Sequence, residues 1–176
     1  MPEALQIDSN LVLKPISVND EQIIFDAVKN NNKFFQKFDS FIADKDPKEY
    51  VKNILVRATI AHKERSGLFF GLWLHDEFCG MFNVNEIDWK EQKGDVGYWL
   101  TEGHTGQGLA TKTLKVLIGY CFNELKLKQL SASTATTNVA SISLLERLGF
   151  VNVMIKKNAC VVKGKPVDDF VFHKFL

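Results

Sequence analysis

Little in this sequence could staple, anchor or export it. Its three cysteines, Cys79, Cys121 and Cys160, are odd in number and widely spaced, with no Cys-x-x-Cys pair. Neither a disulfide framework nor a thiolate metal site is expected. His62, His75, His104 and His173 are scattered with no ligand spacing, so no metal is expected. Residues Met1 to Asn10 lack the basic start and apolar stretch of a signal peptide, and no run of ~18 apolar residues occurs. A soluble, cytoplasmic protein without a membrane partner is the expectation. The 22 basic and 21 acidic residues leave a formal charge of +1, with no long Lys or Arg run, so no nucleic-acid partner is expected. Low-complexity linkers, proline-rich spacers and internal repeats are missing too, and residues 1–176 read as one domain.

What is present is an ordinary globular composition, 45% hydrophobic and 24% charged, with 14 Phe that mostly belong in a core. Leu11 to Lys14 reads as a first strand, stopped by Pro15. A helix over Asn19 to Lys29 follows from the spacing of Ile23, Ile24, Ala27 and Val28. The next helix has a strong start: Asp46 as N-cap, Pro47 in the first helical position and Glu49 completing a capping box. Its stripe is Tyr50, Val51, Ile54, Leu55, Ala58 and Ala61, and Gly67 marks its expected end.

From Leu68 the pattern changes to strands: Leu68 to Leu74, a turn at His75-Asp76-Glu77, Phe78 to Ile87, a turn at Gln92-Lys93-Gly94, then Asp95 to Leu100. Three strands joined by short turns exclude a simple alternating doubly wound sheet and point to a mixed α/β (α+β) order. A long helix, Gly108 to Leu125, a strand from Gln129 to Thr134, and a helix from Val139 to Leu148 between Asn138 and Gly149 come next. Phe150 to Lys157 and Val167 to Phe175 close the chain as a hairpin.

The feature with most chemistry is the passage from Asp95–Leu100 through a glycine-containing turn into the long helix. The first amides of a helix have no internal partners, and its dipole adds about half a positive charge there. Small residues at Gly106, Gly108 and Ala110 let an anion approach that backbone. A Walker loop fails because Leu109 follows Gly108 where Lys-Ser/Thr is needed. A Rossmann fingerprint fails because position 111 is Thr and no acidic residue ends a second strand ~20 residues on.

Gly97-Tyr98-Trp99-Leu100, Thr105-Gly106-Gln107-Gly108-Leu109-Ala110-Thr111, Asn138-Val139-Ala140-Ser141 and Leu144-Leu145-Glu146-Arg147-Leu148-Gly149-Phe150 occur in this order. On these words the chain resembles the GCN5-related N-acetyltransferases (GNAT), within them the ribosomal-protein N-terminal (RimJ/RimL type) group. Asn32 to Asp39 resembles that group's substrate-side segment. The resemblance implies a GNAT fold: a central, mostly antiparallel mixed sheet, flanked by helices and splayed open at an acetyl-CoA site. It implies that the backbone of Trp99, Leu100 and Thr101 pairs with the pantetheine arm. Amides from Gly106, Gln107, Gly108, Leu109, Ala110 and Thr111 would take the pyrophosphate, and Asn138 would bond the arm. A homodimer is a further implication.

Two departures from the family pattern shape the catalytic reading. Thr105 stands where Arg or Gln is common, and Leu145 where many relatives carry a proton-donating Tyr. Ser141 matches the N-terminal-acetylating group and is therefore the candidate proton donor or thiol-orienting group. Cys160 stands where some relatives carry a catalytic Glu; Glu86, Asp88 and Glu102 are candidate bases near the expected cleft. Phe35, Phe38 and Asn85 are candidate acceptor contacts, with Trp89 a further aromatic. An α-amine titrates near pH 8 and Lys near 10.4, so an α-amine acceptor needs roughly 3 kcal/mol less deprotonation work. The acceptor that the resemblance implies is a protein N-terminus, that of a ribosomal protein starting with a small residue such as Ser; a small amine, or an acyl-CoA-binding module without turnover, are the alternatives.

Overall fold

A computed structural model describes residues 2–38, 42 and 45–176. Two short strands, β1 (Leu5–Gln6) and β2 (Leu11–Pro15), precede the helices α1 (Glu21–Asn30), α2 (Asn32–Phe35) and α3 (Pro47–Glu64). The meander β3 (Leu68–Leu74), β4 (Glu77–Asp88) and β5 (Lys93–Leu100) follows. Then come α4 (Leu109–Asn123), β6 (Gln129–Ala135), α5 (Val139–Arg147), β7 (Val151–Val162) and β8 (Lys165–Phe175). The strands form one eight-stranded sheet in the order β1-β2-β3-β4-β5-β6-β8-β7. Every neighbouring pair is antiparallel except β5 with β6. The expected first strand is therefore the second, since β1 pairs with it through only two residues.

Local chemistry sets most of the boundaries. The Asp46 carboxylate accepts from the amides of Lys48 at 2.7 Å and Glu49 at 3.2 Å, with Pro47 in the first turn. This is the Asp46 half of the expected capping box. The helix stops earlier than Gly67: Arg65 takes the left-handed conformation, φ 58°, and ends α3. Gly67 serves close approach instead, because a Cβ there would lie 2.8 Å from the Val84 carbonyl oxygen. His75 and Asp76 have φ of 48° and 63°, the left-handed pair of a tight two-residue hairpin turn.

Alternate side chains of the sheet build a core on each face. Phe70, Leu72, Phe82 and Val84 pack with Leu114, Leu117 and Cys121 of α4 and with Leu144 and Leu145 of α5. Phe69, Phe78 and Met81 pack with Ile24 and Val28 of α1 and the buried stripe of α3. Burial pushes the Cys79 thiol up to about 11 and the Cys121 thiol up to about 12, so both stay protonated packing groups at neutral pH.

Two backbone features shape the centre of the sheet. β4 carries Gly80 at φ 150°, where an added Cβ would fall 2.1 Å from the Trp99 carbonyl oxygen. Only glycine lets β5 lie this close. Further along, β5 and β6 share three register pairs, Lys93 with Gln129, Gly94 with Leu130 and Asp95 with Ser131, and then diverge. Beyond that point β5 stays on β4 as far as Leu100, and β6 stays on β8 as far as Ala135. Asp95 closes the last rung: its carboxylate accepts from Ser131 Oγ at 3.0 Å and Asn85 Nδ2 at 3.1 Å. The sheet is thus open as a wedge from Val96 onward.

Candidate active site

The wedge contains a cavity of about 590 Å³. One wall is β5 from Val96 to Leu100, continued by His104 and the glycine loop into α4. Gly106 and Gly108 have φ of 74° and 76°, left-handed values that glycine adopts without strain, and a Cβ at either would point into open space. Gly108 is the N-cap of α4 and no side chain caps that helix, so its first amides face out of the helix end. Free strand backbone running into uncapped helix amides suits an elongated, amide-bearing ligand with an anionic end.

Across the wedge stands α5. Asn138 caps it, its Oδ1 accepting from the Ser141 amide at 3.2 Å, and this turns the Ser141 side chain toward β5. There Ser141 Oγ lies 2.7 Å from the Tyr98 hydroxyl. The Tyr98 ring stacks on Phe82 with centroids 5.8 Å apart and planes within 14°. Burial raises the Tyr98 pKa above its ordinary value while the Ser141 hydrogen bond pulls it back, so the phenol holds its proton at neutral pH. Leu145, at the expected place of a family Tyr, is buried in the core.

The remaining wall is made of side chains from distant segments. Phe34, Phe35, Phe38 and Ile42 come from the α2 region, Ser133, Thr134 and Ala135 from β6, Cys160 from β7 and Asp169 from β8. The α2 segment is fastened across the end of β5. Phe35 meets Trp99 edge-on at 5.3 Å, Lys37 Nζ pairs with Glu102 at 3.1 Å, and Asn31 Oδ1 accepts from the Glu102 amide at 2.8 Å. The Trp99 indole in turn donates to the Tyr50 hydroxyl at 3.2 Å.

Most residues named from the sequence meet here. Trp99, Leu100, Gly106, Gly108, Leu109, Ala110, Thr111, Asn138, Ser141, Phe35 and Phe38 all line the cavity. Thr101 lies behind it, its hydroxyl 2.7 Å from His104 Nδ1 and donating to the Cys79 carbonyl at 3.3 Å. Gln107 is exposed and folds back onto the Gly103 carbonyl at 2.8 Å. Asn85 is engaged with Asp95, Glu86 is exposed on β4, and Glu102 is held by Lys37; none of these three lines the cavity. Asp88 accepts from the Glu91 amide, and Trp89 donates to the Arg65 carbonyl at 2.7 Å. Asp39, the last residue of the expected substrate-side segment, falls outside the described residues. Sequence reasoning gave no role to Tyr98 or Asp169, although Tyr98 stood inside one of the matching words.

The acetyltransferase (GNAT) domain family matches residues 10–151. The chain belongs to this acetyltransferase family. Among its relatives is the ribosomal-protein-serine acetyltransferase of Escherichia coli (strain K12), 22% identical over 151 residues, covering 86% of this chain and 84% of that protein. The solved RimL ribosomal L7/L12 α-N-protein acetyltransferase in complex with coenzyme A matches with a TM-score of 0.90 at 18% identity, over 99% of this chain and 98% of that one. The microcin C7 self-immunity acetyltransferase MccE, solved with acetyl-CoA and AMP, matches with a TM-score of 0.87 at 18% identity, over 100% and 98%. The two solved acetyltransferases share the fold of this chain, whose open mixed sheet is the one the family resemblance implied. Among the described residues no helix is long and apolar enough to cross a membrane.

Proposed function

We propose that this acetyltransferase, acting as one domain over residues 1–176 in the cytoplasm and as a homodimer, transfers the acetyl group of acetyl-CoA to the α-amine of a protein N-terminus. The observation that carries the reading is the Tyr98–Ser141 hydroxyl pair, 2.7 Å apart across the wedge from β5 to α5 and lining the cavity. Acetyl-CoA supplies an activated acyl group on sulfur, and its residues of attachment are the β5 backbone at Trp99 and Leu100, Asn138, and the amides from Gly106 to Thr111. The Tyr98–Ser141 pair holds a proton where a leaving sulfur needs one, because a buried phenol with a raised pKa remains protonated and can be refilled through Ser141. The proton source that Leu145 cannot provide is thereby supplied by Tyr98 of β5 together with Ser141 of α5.

An α-amine acceptor is supported by the names of the Escherichia coli relative and of the RimL structure, and by the lower deprotonation cost of such an amine. The aromatic wall of Phe34, Phe35 and Phe38 shields that nitrogen from water. Thiol release from acetyl-CoA, measured with Ser-starting peptides, N-blocked Lys peptides and small polyamines, tests the proposal. Turnover on the free-N-terminus peptides is expected. Turnover confined to blocked Lys peptides or polyamines would replace the α-amine acceptor, and coenzyme A binding without any turnover would leave a binding module.

A further inference from the structure

Three buried side-chain oxygens have no hydrogen-bond partner among the described residues: Asn83 Oδ1, Thr113 Oγ1 and Asp169 Oδ1. Asn83 on β4 and Thr113 on α4 are interior groups, and neither lines the cavity. Asp169 does line it. It pairs in register with Ala135, the last residue of β6, which is four residues beyond the final β5–β6 rung at Ser131. At about 3.3 Å per residue, that places Asp169 about 13 Å into the opening, at its wide end.

Among the described residues no cation forms an ion pair with this carboxylate, although Arg147 lines the same cavity. Asp168 takes the Lys157 ammonium at 2.8 Å and the Asn158 amide at 2.9 Å. Lys156, the register partner of Asp169 on β7, is exposed and forms no ion pair with it among the described residues. A buried carboxylate oxygen without a donor is costly, and such groups persist where a ligand or a function supplies the missing proton. Phe34, Phe35 and Phe38 line the same cavity, so a molecule that brings the missing donor finds apolar surface there beside its polar end.

We infer that Asp169 receives the acceptor: its carboxylate holds the incoming amine as an ammonium ion and then takes one of its protons, leaving the neutral nucleophile. This inference rests on the amine-acceptor reading above. The N–H bond breaks with its electron pair left on nitrogen, and the proton forms an O–H bond on Asp169. The nitrogen pair makes the new C–N bond as the C–S electrons leave with sulfur. Sulfur takes a proton from the Tyr98–Ser141 pair, which recovers one from the nitrogen as it becomes an amide. Asp169 then gives its proton to solvent, the one net proton released. An ammonium ion suits the site better than a neutral donor, because it brings both the N–H and the compensating charge.

The test is Asp169→Asn, which keeps the shape and removes the charge and the basicity. With a Ser-starting peptide, kcat/KM is expected to fall about 10²- to 10³-fold, while the Kd for acetyl-CoA stays within about twofold. Asp169→Glu should recover part of the loss. The melting temperature of Asp169→Asn should stay level or rise, since no hydrogen bond to Asp169 Oδ1 is lost. A second arm needs no turnover: with coenzyme A bound, the wild-type protein should prefer the free-amine peptide over its N-acetylated form by roughly tenfold or more, and Asp169→Asn should lose that preference. Failure of the wild-type protein to acetylate any amine would remove the proposed reaction but leave this binding arm readable. The inference is overturned if kcat/KM changes less than about threefold, if acetyl-CoA binding weakens in step with rate, or if the wild-type protein shows no preference for the free amine.

Discussion

On the β5–α4 side of the cavity the protein offers mainly backbone: strand amides and carbonyls from Val96 to Leu100, two left-handed glycines, and the uncapped start of a helix. On the opposite side it offers side chains, Phe35 and Phe38 from the α2 region and Asp169 from β8. The first wall comes from one continuous stretch of sequence, residues 96–111, and the second from segments more than a hundred residues apart. A backbone wall is sensitive to what a Cβ does to the chain and tolerant of side-chain identity. A side-chain wall is the reverse, and it can be re-dressed without disturbing the fold.

Gly80→Ala should show the largest effect, because the new methyl would sit 2.1 Å from the Trp99 carbonyl oxygen and the φ of 150° is hostile to any side chain. A loss of about 3–5 kcal/mol is expected by denaturant titration, and a smaller loss would mean that β5 can withdraw from β4. After it, and after the loss expected of Asp169→Asn, come Tyr98→Phe and Ser141→Ala, each lowering kcat by about 10- to 100-fold with acetyl-CoA affinity retained. The double variant should cost little more than either single one, since the pair acts as a unit. Burial raises the Tyr98 pKa, so loss of its proton cannot depress the rate until above its ordinary value of about 10, and an alkaline limb centred near 8 that vanished in Tyr98→Phe would refute this.

Gly108→Ala tests the backbone wall alone. The methyl meets nothing within 4 Å, so the fold should lose only the left-handed penalty of about 1 kcal/mol. Acetyl-CoA should nonetheless bind roughly tenfold more weakly, because the methyl stands at the anion cradle. Phe38→Ala, on the other wall, should raise the acceptor KM by only about three- to tenfold and leave the Kd for acetyl-CoA unchanged. If Phe38→Ala instead weakened acetyl-CoA binding and Gly108→Ala did not, the two walls would have to be exchanged.

The same contrast explains what the sequence revealed. The β3–β5 meander, α3 and α5 were legible because their caps and turns are local: Asp46-Pro47, His75-Asp76, Asn138 and Gly149 each act within a few residues. The end of α3 was misread because Arg65 supplies the left-handed residue that a glycine usually provides, while Gly67 answers to Val84, 17 positions away along the chain. β7 runs to Val162 rather than stopping at Lys157; Lys156, Lys157 and Asn158 break the apolar alternation, and the ladder resumes after an irregularity there. The glycine-loop wall was legible for the reason it is continuous. Asp169 was not, since nothing local separates it from Asp168, and only the register with Ala135 puts one in the cavity while Lys157 holds the other.

The parting of β5 from β6 after Asp95 gives this sheet something besides its two outer margins, β1 and β7: edges on the inside, one of them on β5 from Val96 to Leu100 and the other on β6 from Ala132 to Ala135. Outer edges are hazards that proteins blunt, because any extended chain can add to them. An inner edge, walled by α4, α5 and the aromatic rings of α2, admits only something thin enough to enter lengthwise and polar enough to pair as a strand does. With acetyl-CoA seated on β5 as proposed, selection of the donor is made first by slenderness and by the spacing of its amides, before any side chain has read it.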